Sequence, residues 1–187
     1  MCGIDEAGRG ALAGPLVSGA VILDHRTRAI FNDSKVLTSK KRVYLFEKIK
    51  SQSIAWAVGL ASVEEINLYG IQKSTFLSYK RAIEALKLKP SFLLIDYYRL
   101  PMTDIPQMSI TKGDKISQSI AAASIVAKVT RDRLMEELDK DFPTYNFSKN
   151  FGYGTRIHQE KIRCLGSSSV HRTKFVDKPW ANQLNFI

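Results

Sequence analysis

Asp5-Glu6-Ala7-Gly8-Arg9-Gly10, followed by Gly14-Pro15 and Leu16-Val17-Ser18-Gly19-Ala20-Val21-Ile22-Leu23, is the stretch that decides the fold. The short apolar opening Met1 to Ile4 reads as a strand ending in two carboxylates, and Leu16 to Leu23 is a β-branched run bounded by Gly14-Pro15 and Asp24. Joined by a glycine turn, the two strands form a hairpin. A dinucleotide-binding loop would instead open a helix after its glycines. Adjacent carboxylates suit a hard divalent cation, and glycines let backbone amides approach a ligand closely. Acidic, glycine-rich turns also end many ordinary strands, so the motif needs independent carboxylates elsewhere.

Outward from the hairpin, Thr38 or Ser39 caps a helix through Lys50 with Val43, Phe46 and Ile49 on one face, and Ile54 to Ala61 reads as a third strand. Ser62-x-x-Glu65 is a capping box. Phe76, Tyr79, Ile83 and Leu86 repeat at helical spacing, Phe92 to Asp96 and Gln107 to Thr111 read as short strands, and Ile116 to Leu138 is the longest helix. Three early strands followed by strand and helix alternation imply an α/β or α+β class with a mixed sheet and one core. Residues 1–145 are expected to form that core and 146–187 a small helical appendage of the same domain.

The 187 residues carry 28 Lys and Arg against 18 Asp and Glu, a net charge of +10 that points to a polyanionic partner. Residues 35–50 hold six bases and one acid, and 140–187 hold eight bases and three acids. Cys2 and Cys164 lie at opposite ends with no C-x-x-C and no nearby histidine cluster, so neither a disulfide framework nor a zinc site is indicated. With no long apolar run and no basic, apolar leader, the expectation is a cytoplasmic monomer with no membrane association.

Two further carboxylates support the first pair. Asp96 ends an apolar strand, where open α/β sheets place ligand groups. Asp114, in Thr111-Lys112-Gly113-Asp114, lies before the long helix and is either a ligand or a helix cap. Four such acids are enough to hold two divalent ions about 3.5 to 4 Å apart. Consecutive strand residues face opposite sides, so Asp5 and Glu6 meet one ion only if the strand ends or bulges at Glu6, or if the glutamate reaches around the edge. Asp132, between Arg131 and Arg133, reads as a surface or structural charge. Ser124 and Lys128, at i and i+4, suit a phosphate rail or a solvated stripe. His25, His158 and His171 are too scattered for a metal site. A non-catalytic binder of nucleic acid would have no reason to gather four acids near its phosphates.

Asp5 to Gly10, Asn32-Asp33-Ser34-Lys35, Phe92 to Asp96, Lys112-Gly113-Asp114, Ala122 to Asp132, Gly152-Tyr153-Gly154-Thr155 and His171-Arg172 resemble, in order, the successive motifs of bacterial type 2 ribonucleases H, the ribonuclease HII family. The resemblance implies a ribonuclease H-like fold with a mixed five-stranded sheet flanked by helices. It implies endonucleolytic cleavage 5′ of ribonucleotides, in RNA-DNA hybrids and at single ribonucleotides embedded in duplex DNA, leaving 3′-hydroxyl and 5′-phosphate ends. Asp5, Glu6, Asp96 and Asp114 would ligate two Mg2+ or Mn2+ ions. Gly8, Arg9 and Gly10 would read the 2′-hydroxyl through backbone, and Tyr153 would pack on the sugar at the RNA-to-DNA junction. Ser34, Lys35, Ser124 and Lys128 would hold phosphates, while His171 and Arg172 would support the site or the strand.

The chain departs from the family's usual pattern in four places. Tyr97 replaces a glycine after Asp96, Phe151 replaces a lysine before Gly152, residues 166–170 lack a proline, and the strand carrying Asp5 has almost no lead-in. The expected consequence is a looser grip on substrate and not a lost reaction.

Overall fold

A computed structural model describes residues 1–27, 31, 34, 37–101 and 103–176. Strand β1 (Cys2–Ala7) and strand β2 (Leu16–Leu23) form the expected antiparallel hairpin, and β3 (Ser53–Ala61) pairs antiparallel with β2. Strands β4 (Leu93–Asp96) and β5 (Gln107–Ile110) add in parallel on the other side, giving the order β3-β2-β1-β4-β5. The sheet is mixed, five-stranded and flanked by helices. Its β1 register is regular from Gly3↔Val21 to Ala7↔Val17, and the one shift in the β2 pairing falls at Ile22/Leu23. The expected bulge or strand end at Glu6 is therefore absent, because Glu6 and Ala7 keep their partners Ser18 and Val17 on β2.

Helix α1 (Ser39–Gln52) starts at Thr38, whose side chain accepts from the Lys41 amide. Its buried stripe runs through Leu45, Phe46 and Ile49, which leaves Val43 exposed contrary to the apolar spacing. Helix α2 (Val63–Tyr69) carries both halves of the Ser62–Glu65 capping box, and α3 (Ile71–Glu84) follows directly. Helix α4 (Gln118–Asp141) is the longest.

Two glycines fix which helix lies on which face. A Cβ at Gly19 would stand 2.4 Å from the Ala123 carbonyl oxygen of α4, and one at Gly59 would stand 2.1 Å from the Ser78 carbonyl oxygen of α3. Each helix backbone thus rests directly on a strand. Cys2, Ile4, Ala20, Leu93 and Ile95 pack against Tyr79 and Ala82 on the α3 side, whereas Val21 packs with Ala122, Ile125 and Val126 on the α4 side. Helices α5 (Phe147–Asn150), α6 (Arg156–Leu165) and α7 (Thr173–Val176) complete the described chain. Phe147 and Tyr145 join Met135 and Ala13 in one cluster, so this segment packs on the far half of α4. Among the described residues no helix is long and apolar enough to cross a membrane.

Candidate active site

Parallel pairing of Ile4 with Ile95 brings Asp5 and Asp96 out together at the same end of adjacent central strands. Asp5 is almost fully buried, and its Oδ1 accepts from the Glu6 amide at 2.7 Å. Burial raises its carboxyl well above the ordinary value, with the charges of Glu6 and Asp96 adding to the effect; the Glu6 amide and the Ser124 hydroxyl oppose it. Asp96 Oδ1 accepts from the Gly113 amide at 2.7 Å. That bond fastens β4 to the 3-10 turn Gly113–Lys115, on which Asp114 is buried. Ser117 occupies the N-cap position of α4, three residues after Asp114.

Glu6 faces the other side of the sheet from Asp5. Its Oε2 accepts from the Tyr79 hydroxyl, and its Oε1 lies 3.9 Å from Arg9 Nε. Burial, followed by the charge of Glu6, keeps the Tyr79 phenol protonated well above its usual range. A crowded, all-oxygen carboxylate set in which one member is driven toward its neutral form fits a hard divalent cation. Among the described residues, no three His, Cys, Asp or Glu side chains stand close enough to hold a metal as they are.

The loop after β1 is built around two buried arginines. Arg172, with no exposed surface, donates to the carbonyls of Gly8 (2.7 Å), Arg9 (3.2 Å), Ala11 (2.9 Å) and Gly14 (2.8 Å). Arg131, equally buried, donates to Ala13 (3.1 Å), Pro15 (2.9 Å) and Phe151 (2.8 Å). Gly8 has φ +98°, and a Cβ there would stand 2.0 Å from Arg131 Nε, so only glycine fits. The Arg9 guanidinium lies 4.4 Å over the Tyr98 ring, and its Nη1 is buried without a hydrogen-bond partner among the described residues.

Ser124 is buried and shares a 2.7 Å hydrogen bond with Ser34 beside Asp5, so it does not lie on a solvated stripe. Lys128 pairs with Asp132 at 2.7 Å and lies 5.2 Å over the Tyr153 ring, while Arg131 backs the same ring at 5.1 Å. Lys35 lies outside the described residues. His171 is buried and bonded to His158 at 3.1 Å. Tyr97 and Phe151, two of the departures from the family pattern, both adopt left-handed backbone, φ 62° and 49°. The turn beside Asp96 thus keeps a conformation suited to glycine with a tyrosine in it.

Sequence reasoning missed Arg131, Tyr79 and the partnership of the two histidines. Arg131 was open to detection, because it falls at i+7 from Ser124 and i+3 from Lys128 on one helix face. Tyr79 reads only as one member of an apolar repeat, and the histidines are 13 residues apart.

A sequence model of Ribonuclease HII matches residues 2–182. The ribonuclease HII of Desulfitobacterium hafniense (strain Y51) is 52% identical over 188 residues, covering 100% of this chain and 72% of that protein. That of Thermus thermophilus is 48% identical over 175 residues, covering 94% of this chain and 85% of that protein. Among solved structures, the ribonuclease H2 of Pyrococcus horikoshii OT3 superposes with a TM-score of 0.76 at 27% identity, over 92% of each chain. The ribonuclease HII of Archaeoglobus fulgidus, solved with PCNA, gives 0.74 at 26% identity, over 98% of this chain and 95% of that one. A matching family model across nearly the whole chain, relatives identical at half their aligned positions, and a shared fold agree: this chain belongs to the ribonuclease HII family of hydrolytic nucleases.

Proposed function

We propose that the protein cleaves the phosphodiester 5′ of ribonucleotides, both in RNA-DNA hybrids and at single ribonucleotides within duplex DNA, leaving 3′-hydroxyl and 5′-phosphate ends. The observation that carries the reading is the crowding of Asp5 with Asp96 and Glu6 beside a loop whose backbone is fixed by Arg172. Asp5, Glu6, Asp96 and Asp114 would hold two ions, Mg2+ or Mn2+. When bound, such ions supply an activated water and stabilise the leaving 3′-oxygen.

The protein's own groups do the rest. Gly8, Arg9 and Gly10 present backbone to the 2′-hydroxyl, the group that separates RNA from DNA. Arg172 and His171 act from behind this surface by holding the loop and the turn at Tyr153. The Tyr153 ring, propped by Arg131 and Lys128, receives the sugar at the RNA-to-DNA junction. Ser34, Lys35, Ser124 and Lys128 orient flanking phosphates, with Lys128 exchanging Asp132 for phosphate. Residues 146–187 serve as a substrate-binding appendage of a single catalytic domain that acts as a monomer.

The test uses three end-labelled duplexes, all DNA, DNA with one internal ribonucleotide, and an RNA-DNA hybrid, each with Mg2+, Mn2+ or EDTA. Metal-dependent cutting 5′ of the single ribonucleotide that spares all-DNA is expected. Binding to all three without cleavage under any metal would refute the reading.

A further inference from the structure

Tyr79 is fully buried in the α3-side core, yet its hydroxyl emerges at the sheet end and donates to Glu6 Oε2. A buried tyrosine needs a partner for its hydroxyl; here that partner is a carboxylate of the proposed metal site. The other oxygen of the same carboxylate lies 3.9 Å from Arg9 Nε. Glu6 is thus shared between a neutral donor in the core and a cation on the loop. Helix α3 cannot yield, because its Ser78 carbonyl rests against Gly59, where even a Cβ would stand at 2.1 Å. The phenol is a fixed point, whereas Arg9 is partly exposed and reaches Gln72 only at 3.4 Å.

We propose that Tyr79 is a positioning residue for the metal centre: it holds Oε2 of Glu6 and keeps the carboxylate from collapsing into a bidentate ion pair with Arg9. Planar guanidinium and carboxylate groups favour that bidentate arrangement when nothing else claims an oxygen. The inference rests on the proposed role of Glu6 and extends it to a residue that touches neither metal nor substrate.

The experiment is Mn2+ binding to the metal-free full chain, read from the electron paramagnetic resonance signal of free Mn2+. The variants are Tyr79→Phe, Glu6→Gln and their combination, with Tyr79→Met as a second replacement that fills the space without a hydroxyl. Losing a group that orients a metal ligand typically weakens metal binding 10- to 100-fold. Tyr79→Phe and Tyr79→Met are each expected to weaken binding about 10-fold and to raise the Mn2+ needed for half-maximal cleavage in parallel, leaving KM for the duplex unchanged. In the Glu6→Gln background, Tyr79→Phe should have no further effect.

Binding like wild type in both Tyr79 variants, with Glu6→Gln weakened, overturns the positioning role and leaves the metal site intact. Equal weakening by Tyr79→Phe in both backgrounds assigns the residue to packing and also overturns it. Unchanged binding in Glu6→Gln removes Glu6 from the ligand set, and the role of Tyr79 falls with it.

Discussion

The imidazoles of His158 and His171 meet Nε2 to Nε2 at 3.1 Å inside the protein. The Ser168 amide donates to His171 Nδ1, so the His171 proton sits on Nε2 and is donated to His158 Nε2. His158 Nδ1–H then donates to the Tyr153 carbonyl at 2.9 Å. One chain of hydrogen bonds therefore runs from the 168–171 turn to the backbone of Tyr153, and a single added proton breaks it.

Acid should dissolve this chain. Burial lowers both histidines, and the neighbouring His158 lowers His171 further, to about 4. An unfolded histidine titrates near 6.5, so between about 6.5 and 4 the unfolded state binds more protons and stability falls as pH falls. Urea denaturation from pH 7.5 to 4.5 should show that loss. Asp5→Asn is the background to use, because metal-free Asp5 contributes with the opposite sign. Stability independent of pH across this window in that background would contradict the neutral pair.

For Asp5 the folded carboxyl is raised. Its contribution to the stability of the metal-free protein is complete below the unfolded value near 3.9 and is lost as pH rises through the folded value. Metal should reverse the loss. Mn2+ is expected to raise Tm more at pH 8 than at pH 5.5, and Asp5→Asn should raise metal-free Tm, by about 2–4 °C per kcal/mol relieved, while abolishing cleavage and the metal response. An Asp5→Asn protein that still cleaves would end the metal assignment.

Arg172→Ala should be among the most damaging single changes in the chain. It strands carbonyls of Gly8, Arg9, Ala11 and Gly14 in the interior; removing a buried charged donor of this kind typically costs about 3 kcal/mol or more. Arg172→Lys should not rescue it, since an ammonium has three donors and no planar fork. Burial lowers Arg172 to about 9, with Arg131 as a second cause, so the variants are best compared at pH 7. Chemical denaturation and cleavage rates should fall together.

Much of the hairpin, the short strand ending at Asp96 and the long helix was legible because glycine turns, β-branched runs and caps are local signals. Thr38 capping α1 and the Ser62–Glu65 box were both written in four residues. The placement of Glu6 was only half legible: alternation along a strand predicts the opposite face, but nothing local says that Ser18 and Val17 would hold Glu6 and Ala7 in register. The resemblance marked His171 and Arg172 as supports, but the groups that they and Arg131 hold were not legible, because those partners are distant in sequence. Hydrogen bonds such as Arg172 to Gly8, 164 residues apart, leave no periodicity to read.

Gly8 and Gly10 flank Arg9 and look equivalent in sequence, yet the structure separates them. Gly8 has φ +98° and no space for a Cβ against Arg131, whereas Gly10 has ordinary φ and nothing within 4 Å of a built Cβ. Gly8→Ala should therefore destabilise the fold and the loop together, by about 1–3 kcal/mol for the backbone conformation alone. Gly10→Ala should leave urea stability within about 0.5 kcal/mol, as exposed substitutions usually do. A loss of cleavage at a single ribonucleotide in Gly10→Ala, with stability unchanged, would then report contact with substrate and not damage to the protein. Full activity in Gly10→Ala would remove Gly10 from the surface that reads the 2′-hydroxyl.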